Sequence, residues 1–245
     1  MVSYRMQGGL NVAGARDAGV SVVVCTNRPA YLGNIIDNYS RQHYRKKELI
    51  LIVNDDSADL AMYRRVASRA GRASVYRMPS RISLGQCLNA GMGLAKLPLI
   101  AKFDDDDYYS PNYLKEQVGA LMRKKADVVG KHSCLVYLEA SRRLLLRSKE
   151  YRNKYATFVQ GGTILFRREV LKQVRFPDLS VGEDVKFLRD CSRRGYRTYA
   201  TSPYNYVYIR RANKMSHTWR VKDEFYRRGS EVIGSGAHYR AFADR

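Results

Sequence analysis

Short apolar runs separated by helix-periodic segments fill the first half of the chain, and this alternation limits the fold more than any other feature. Val20 to Thr26, Leu49 to Val53, Ser74 to Met78 and Leu99 to Phe103 are each bounded by turn-forming residues and read as strands. Pro29 can open a helix, and Leu32, Ile35, Ile36 and Tyr39 follow it at helical spacing. Leu60, Tyr63 and Val66 repeat the pattern behind Ser57 or Asp59 as caps. Leu84, Leu88 and Met92 mark a helix from Leu84 to Ala95, and Leu114, Val118, Leu121 and Met122 one from Ser110-Pro111 to Lys124. Strand and helix alternating at this spacing predict an α/β domain with a mostly parallel sheet. Right-handed crossovers then bring the C-terminal strand ends to one edge, where such sheets bind ligands.

After Ala126 the rhythm changes. Strands are expected over residues 127–131, 133–139 and 143–147, the last two as a hairpin. A further strand is expected from Thr163 to Phe166, a helix from Glu169 to Val174 and another from Glu183 to Arg194, stopped by Gly195. Val207 to Arg210 closes the series. The expected organisation is a leader (1–18), one domain over 19–211 and a basic, aromatic tail over 212–245. Within the domain, residues 19–125 form one half and 126–211 the other.

Of the 245 residues, 45% are hydrophobic, enough to bury a core without staples. Lys and Arg number 44 against 23 Asp and Glu, a formal charge of +21. Such a balance raises nucleic acid, an anionic membrane face or an acidic substrate as partners, although the basic residues form no long block. Cys25, Cys87, Cys134 and Cys191 make no C-x-x-C pair, so a zinc knuckle is not indicated and buried free thiols are expected. No run approaches the ~18 apolar residues of a membrane span, and the N-terminus does not read as a signal peptide. The expected location is therefore the cytoplasm, with contact at the inner face of the membrane left open.

The strongest chemical signal is Phe-Asp-Asp-Asp-Asp-Tyr-Tyr-Ser-Pro, Phe103 to Pro111, where a strand ends. Four adjacent carboxylates repel one another unless a cation sits among them. One or two of them, with substrate phosphates, suit Mg²⁺ or Mn²⁺. The bland alternative is a solvated acidic turn. Asn54-Asp55-Asp56-Ser57, at another strand end, suits a base or ribose contact, or simply an Asx turn. Glu183-Asp184 opens a helix, where negative charge is favoured, and offers a general base. Gly161-Gly162 permits close backbone approach by a ligand, or a bend.

Taken in order, Thr26, Asn54-Asp55, Asp104-x-Asp106-Asp107, Gly161-Gly162 and Glu183-Asp184 resemble family 2 of the inverting glycosyltransferases. The likeness runs from Ser21 to about Arg211. It implies the GT-A fold: a Rossmann-like nucleotide-binding half, an acceptor-binding half and a C-terminal tail. It also implies a nucleotide-diphosphate sugar donor, a UDP-sugar first, a glycan or other hydroxyl acceptor, an anionic one included, and cell-surface or spore polysaccharide synthesis as the setting. Thr26, Asn27, Arg28, Asp55, Asn89, Asp104 and Asp105 would then hold the nucleotide sugar. Asp106 would ligate the metal, Asp107 would ligate it too or hold the loop, and His217 would be a further ligand. Asp184 would be the catalytic base with Glu183 as its neighbour, and Gly161, Gly162 and Trp219 would contact sugar or acceptor. Two departures stand out: Asp56 replaces a usual glycine, and Leu88 precedes Asn89 where relatives carry Arg.

Three other readings compete. A basic nucleic-acid-binding protein explains +21 but not four aspartates in a row. A nucleotidyltransferase expects a glycine-rich, lysine-bearing loop after the first strand, where this chain has Cys25-Thr26-Asn27-Arg28-Pro29. An inactive transferase-like scaffold is disfavoured by the intact carboxylates.

Overall fold

A computed structural model describes residues 18–213, 219 and 221–244. Its first half runs β1 (Val20–Thr26), α1 (Leu32–Ser40), β2 (Lys47–Val53), α2 (Leu60–Ala67), β3 (Ala73–Arg77), α3 (Leu84–Gly93) and β4 (Leu99–Phe103). The second half runs β5 (Tyr108–Tyr109), α4 (Tyr113–Arg123), β6 (Val128–Gly130), β7 (Cys134–Leu138), β8 (Arg143–Arg147), β9 (Lys154–Tyr155), β10 (Leu165–Arg167), α5 (Glu183–Arg193), β11 (Thr198–Ala200), β12 (Tyr206–Arg210), α6 (Asp223–Arg227), β13 (Ser230–Ser235) and α7 (Tyr239–Ala243).

The main sheet has the order β3-β2-β1-β4-β10-β6-β11-β9. β1 lies between β2 and β4, parallel to both, and β3 is parallel to β2. β10 runs antiparallel between β4 and β6, so the sheet is mixed at its centre and parallel over the first half. The register sets Thr26 opposite Val53 and Val24 opposite Phe103, which places three strand ends side by side. Val22 and Val24 pack into the cluster on one face and Val23 into the cluster on the other. A strand buried on both faces needs this near-continuous apolar run.

The second sheet has the order β13-β8-β7-β12-β5 and stands beside the strand ends of the first. β7 and β8 form the expected hairpin, with Leu138 paired to Arg143. The residues expected as a helix from Glu169 to Val174 instead form a short 3₁₀ helix, Arg168–Lys172. Arg168 N donates to Pro98 O at 2.9 Å, which ties the start of the segment to the chain before β4, and Pro177 stops any helix from running further. The expected strand from Thr163 begins two residues later, because Gly161–Thr163 is itself a 3₁₀ turn. Much of the tail beyond 212 joins the fold. β13 pairs with β8, Asn205 N donates to Ala243 O at 2.9 Å, and the Tyr108 hydroxyl bonds the Asp244 carboxylate. All four cysteines are free; Cys25 is only half-buried.

Candidate active site

Where β1 and β4 end, a cleft of about 840 Å³ opens between the two sheets. Its floor is built on the aspartate run. Lys102, next to last in β4 and 3% exposed, makes an ion pair with Asp104 Oδ1. Asp105 turns back under β1, where it accepts from Thr26 Oγ1 at 2.6 Å and from both Nε and a terminal nitrogen of Arg28. The other terminal nitrogen of Arg28 reaches Asp106 Oδ2 at 3.0 Å. Asp107 points away from the cleft, accepting from the Tyr206 hydroxyl at 2.5 Å and from Ile209 N at 3.0 Å. Asn34 and Asn38 donate to the backbone carbonyls of Asp105 and Asp107, which holds the loop in this alternating form.

The sequence demanded a cation among the carboxylates, and the chain supplies two of its own, Arg28 and Lys102. Electrostatics follows from that packing. Burial raises the Asp106 carboxyl to about 6, helped by Asp105 and opposed by Arg28. Burial also raises Asp107 well above the usual range, with Asp106 and Asp104 adding to it. Burial by itself would lower Lys102, but Asp104 and Glu183 outweigh it and the net shift is upward.

The candidate base approaches from the other wall. Asp184 lies in the first turn of α5, with Oδ1 accepting from Val185 N at 2.8 Å. Beside it runs the Gly161–Gly162 turn. A Cβ on Gly161 would stand 2.1 Å from Asp184 Oδ2, and one on Gly162 would stand 2.6 Å from Asp104 Oδ2. Only glycine lets the backbone pass between these two carboxylates. The Tyr109 hydroxyl fixes the spacing: it accepts from Asp104 N at 2.7 Å and donates to Gly162 O at 2.5 Å.

Glu183 is 6% exposed, and burial raises its carboxyl to about 7, opposed by Lys102 and reinforced by Asp184. Because the folded value lies above the ordinary 4.5, protonation favours the fold. That contribution is complete below about pH 4.5 and is lost as pH rises through about 7. Glu183→Gln should therefore gain on the parent between pH 5 and 8, with melting temperatures diverging by several degrees at roughly 2–4 °C per kcal/mol. Melting curves across that range check it; parallel curves would remove Glu183 from the buried titration.

Most residues singled out in the sequence meet in this cleft. Thr26, Asn27, Arg28, Asp104, Asp105, Asp106, Gly161, Gly162, Glu183, Asp184 and Trp219 all line it. Asp55 does not: its Oδ1 accepts from the Ser57 backbone and hydroxyl in an Asx turn, while its neighbour Asn54 reaches the cleft. Asn89 is also elsewhere, its amide spent on both backbone groups of Phe176. His217 lies outside the described residues. Lys102, Tyr109 and Tyr206 were not anticipated. A lysine inside the apolar run Leu99–Phe103 was the available signal, since a buried ammonium needs a partner.

Among the described residues no three His, Cys, Asp or Glu side chains converge into a metal cage of protein alone. Asp104 and Asp106 nevertheless line the cleft, and Asp104 Oδ2 and Asp106 Oδ1 have no hydrogen-bond partner among the described residues. Two open carboxylate oxygens fit Mg²⁺ or Mn²⁺ of the kind completed by substrate phosphate and water.

A family model, described as glycosyltransferase-like family 2, matches residues 18–225. The chain belongs to that family. No curated protein matches it in sequence. Among solved structures, TarS residues 1–349 of S. aureus in complex with UDP-GlcNAc is similar with a TM-score of 0.65 and 18% identity, over 85% of this chain and 64% of that one. A further structure of S. aureus TarS gives 0.62 and 17%, over 78% and 36%. The mannosyltransferase PcManGT from Pyrobaculum calidifontis, in complex with GDP-Man and Mn²⁺, gives 0.61 and 21%, over 78% and 56%. This chain thus spans less than two thirds of each. Identities this low speak for the fold alone, which is that of the GT-A glycosyltransferases, as the sequence implied. No helix among the described residues of this glycosyltransferase domain is long and apolar enough to cross a membrane.

Proposed function

We propose that the domain transfers a sugar from a nucleotide-diphosphate donor to an acceptor hydroxyl with inversion, Asp184 acting as base. The observation that carries this reading is the opposition of Asp104 and Asp184 across the Gly161–Gly162 turn in one cleft. The floor side, with Asn27, Asn54 and Asp104, suits the nucleotide and ribose. The turn leaves bare backbone where the transferred sugar must sit. Asp184, at the mouth of that turn, receives the proton of the attacking hydroxyl. The hydroxyl oxygen then bonds to the anomeric carbon from the face opposite the diphosphate, which leaves with its electron pair. Asp104 and Asp106 are the residues that would hold a divalent ion, whose chemistry is neutralising charge on the diphosphate. Lys102 and Arg28 orient these carboxylates. A UDP-sugar is the first donor to try, since similar folds are known with UDP-GlcNAc and with GDP-Man.

The test is a thermal-shift panel of nucleoside diphosphates and nucleotide sugars, with and without Mn²⁺, on the parent and on Asp106→Ala. A ligand at 100 times its Kd stabilises by about 2.7 kcal/mol. The expected result is one base giving a Mn²⁺-dependent shift that Asp106→Ala loses. A Mn²⁺-dependent shift unchanged in that variant would move the ligand role from Asp106 to a neighbour. No nucleotide shift, beside a salt-sensitive shift with random oligonucleotides, would overturn the transferase reading in favour of nucleic-acid binding.

A further inference from the structure

The wall of the cleft facing the aspartates is aromatic and carries one cation that the proposed donor chemistry leaves unused. Arg147, at the end of β8, lines the cleft and is half-buried. Its guanidinium carbon stands 4.3 Å from the centre of the Phe225 ring and 5.3 Å from that of Tyr226. One terminal nitrogen donates to Phe225 O at 3.2 Å. No carboxylate among the described residues pairs with it, whereas the other cations lining the cleft, Arg28 and Lys102, are each tied to aspartate. Trp219 meets Phe225 edge-on at 5.0 Å, and these two rings are 47% and 40% exposed at the cleft mouth.

Each of these features calls for the same kind of ligand. Broad aromatic faces left in contact with water mark a binding surface, and a sugar ring can cover them with its apolar face. A guanidinium stacked on such faces is only partly hydrated and keeps several donors in a fixed plane, suited to two oxygens of one anion. The overall charge of +21 favours anionic partners for the chain as a whole. If Arg147 served only to fasten α6, one hydrogen bond to Phe225 O would use a single N–H of its five.

Building on the transferase reading, we propose that this aromatic wall is the acceptor subsite and that Arg147 recognises an anionic group, phosphate or carboxylate, on a sugar-bearing acceptor. The acceptor hydroxyl would then enter between the wall and Asp184. The anion fixes the acceptor in register without touching the reacting atoms, so Arg147 determines specificity.

Saturation-transfer NMR on the full chain tests this, with diamagnetic Mg²⁺ in place of Mn²⁺ and an excess of the best nucleoside diphosphate from the thermal-shift panel filling the donor site. The probes are glucose 6-phosphate, glucuronate and glucose, which separate phosphate from carboxylate and both from neutral sugar. One or both anionic probes should bind about tenfold tighter than glucose, as one charge-assisted contact allows. Arg147→Gln should erase that preference, Arg147→Lys should keep part of it, and Arg143→Gln, on the same strand but exposed, should keep all of it. Equal binding of the three probes would overturn the proposal, as would an equal loss in Arg143→Gln, which would assign the effect to net charge. If Arg147→Gln does not fold, a full preference in Arg147→Lys overturns the planar recognition and a reduced one supports it. The parent's own nucleotide shift separates the two levels. Without it the transferase reading fails; with it, and with no anion preference, only the acceptor assignment fails.

Discussion

Asp184→Asn is expected to slow nucleotide-sugar turnover by about 10²–10⁴-fold, the range that one positioned general base contributes. The substitution is nearly isosteric, and its amide oxygen can still accept from Val185 N, so the start of α5 should keep its geometry. What is lost is the group able to take a proton at the Gly161 turn. Release of nucleoside diphosphate from the donor, with water as acceptor, reads the effect before any acceptor is known. The thermal shift with nucleotide and Mn²⁺ should survive, because Asp184 lies on the opposite wall from Asp104 and Asp106. Turnover within threefold of the parent would sink the assignment. Glu183 would then be the next carboxyl to examine, being raised to about 7 by burial and lining the same cleft.

The parallel half of the fold was legible because each strand is an uninterrupted apolar run and each helix repeats at its own period. Val20–Thr26 and Leu99–Phe103 match the structure residue for residue. Strands of two or three residues, such as Tyr108–Tyr109 and Thr198–Ala200, have no such pattern; partners far along the chain decide them. The tail was opaque for the same reason. Ser230–Ser235 alternates too weakly to signal a strand and is held by pairing with β8. At the site, the sequence pointed to a divalent ion among the aspartates, and the structure adds two cations of the chain itself beside them. The part played by Arg28 was not visible, because Arg28 comes from a loop 77 residues away from Asp105, whereas Lys102 stands two residues before Asp104 and could have been read. Likewise, the sequence shows that Gly161 and Gly162 are small, but not that two carboxylates press on them.

Lys102→Met should be among the more damaging single changes to the fold in this region, costing about 1–3 kcal/mol: Lys102 is buried, but its partner Asp104 keeps 36% of its side chain exposed, so water screens part of the loss. Methionine fills much of the same space, so the loss is electrostatic rather than a cavity. Lys102 is 3% exposed, paired with Asp104, and its charge faces Glu183 and Asp184 as well. Without it, carboxylates on both sides of the glycine turn lose their shared counter-charge and push the two walls apart. Two results distinguish this from simple misfitting. The deficit in melting temperature should shrink on acidification, because protonating Glu183 removes part of the repulsion. Glu183→Gln added to Lys102→Met should recover stability beyond the sum of the single effects, since residues sharing one charge network do not add. A loss below about 1 kcal/mol that ignores pH and Glu183 would place the role of Lys102 in packing, at the level of an ordinary substitution. A large loss restored by either manoeuvre would make Lys102 the residue that lets the donor carboxylate and the base stand in one cleft.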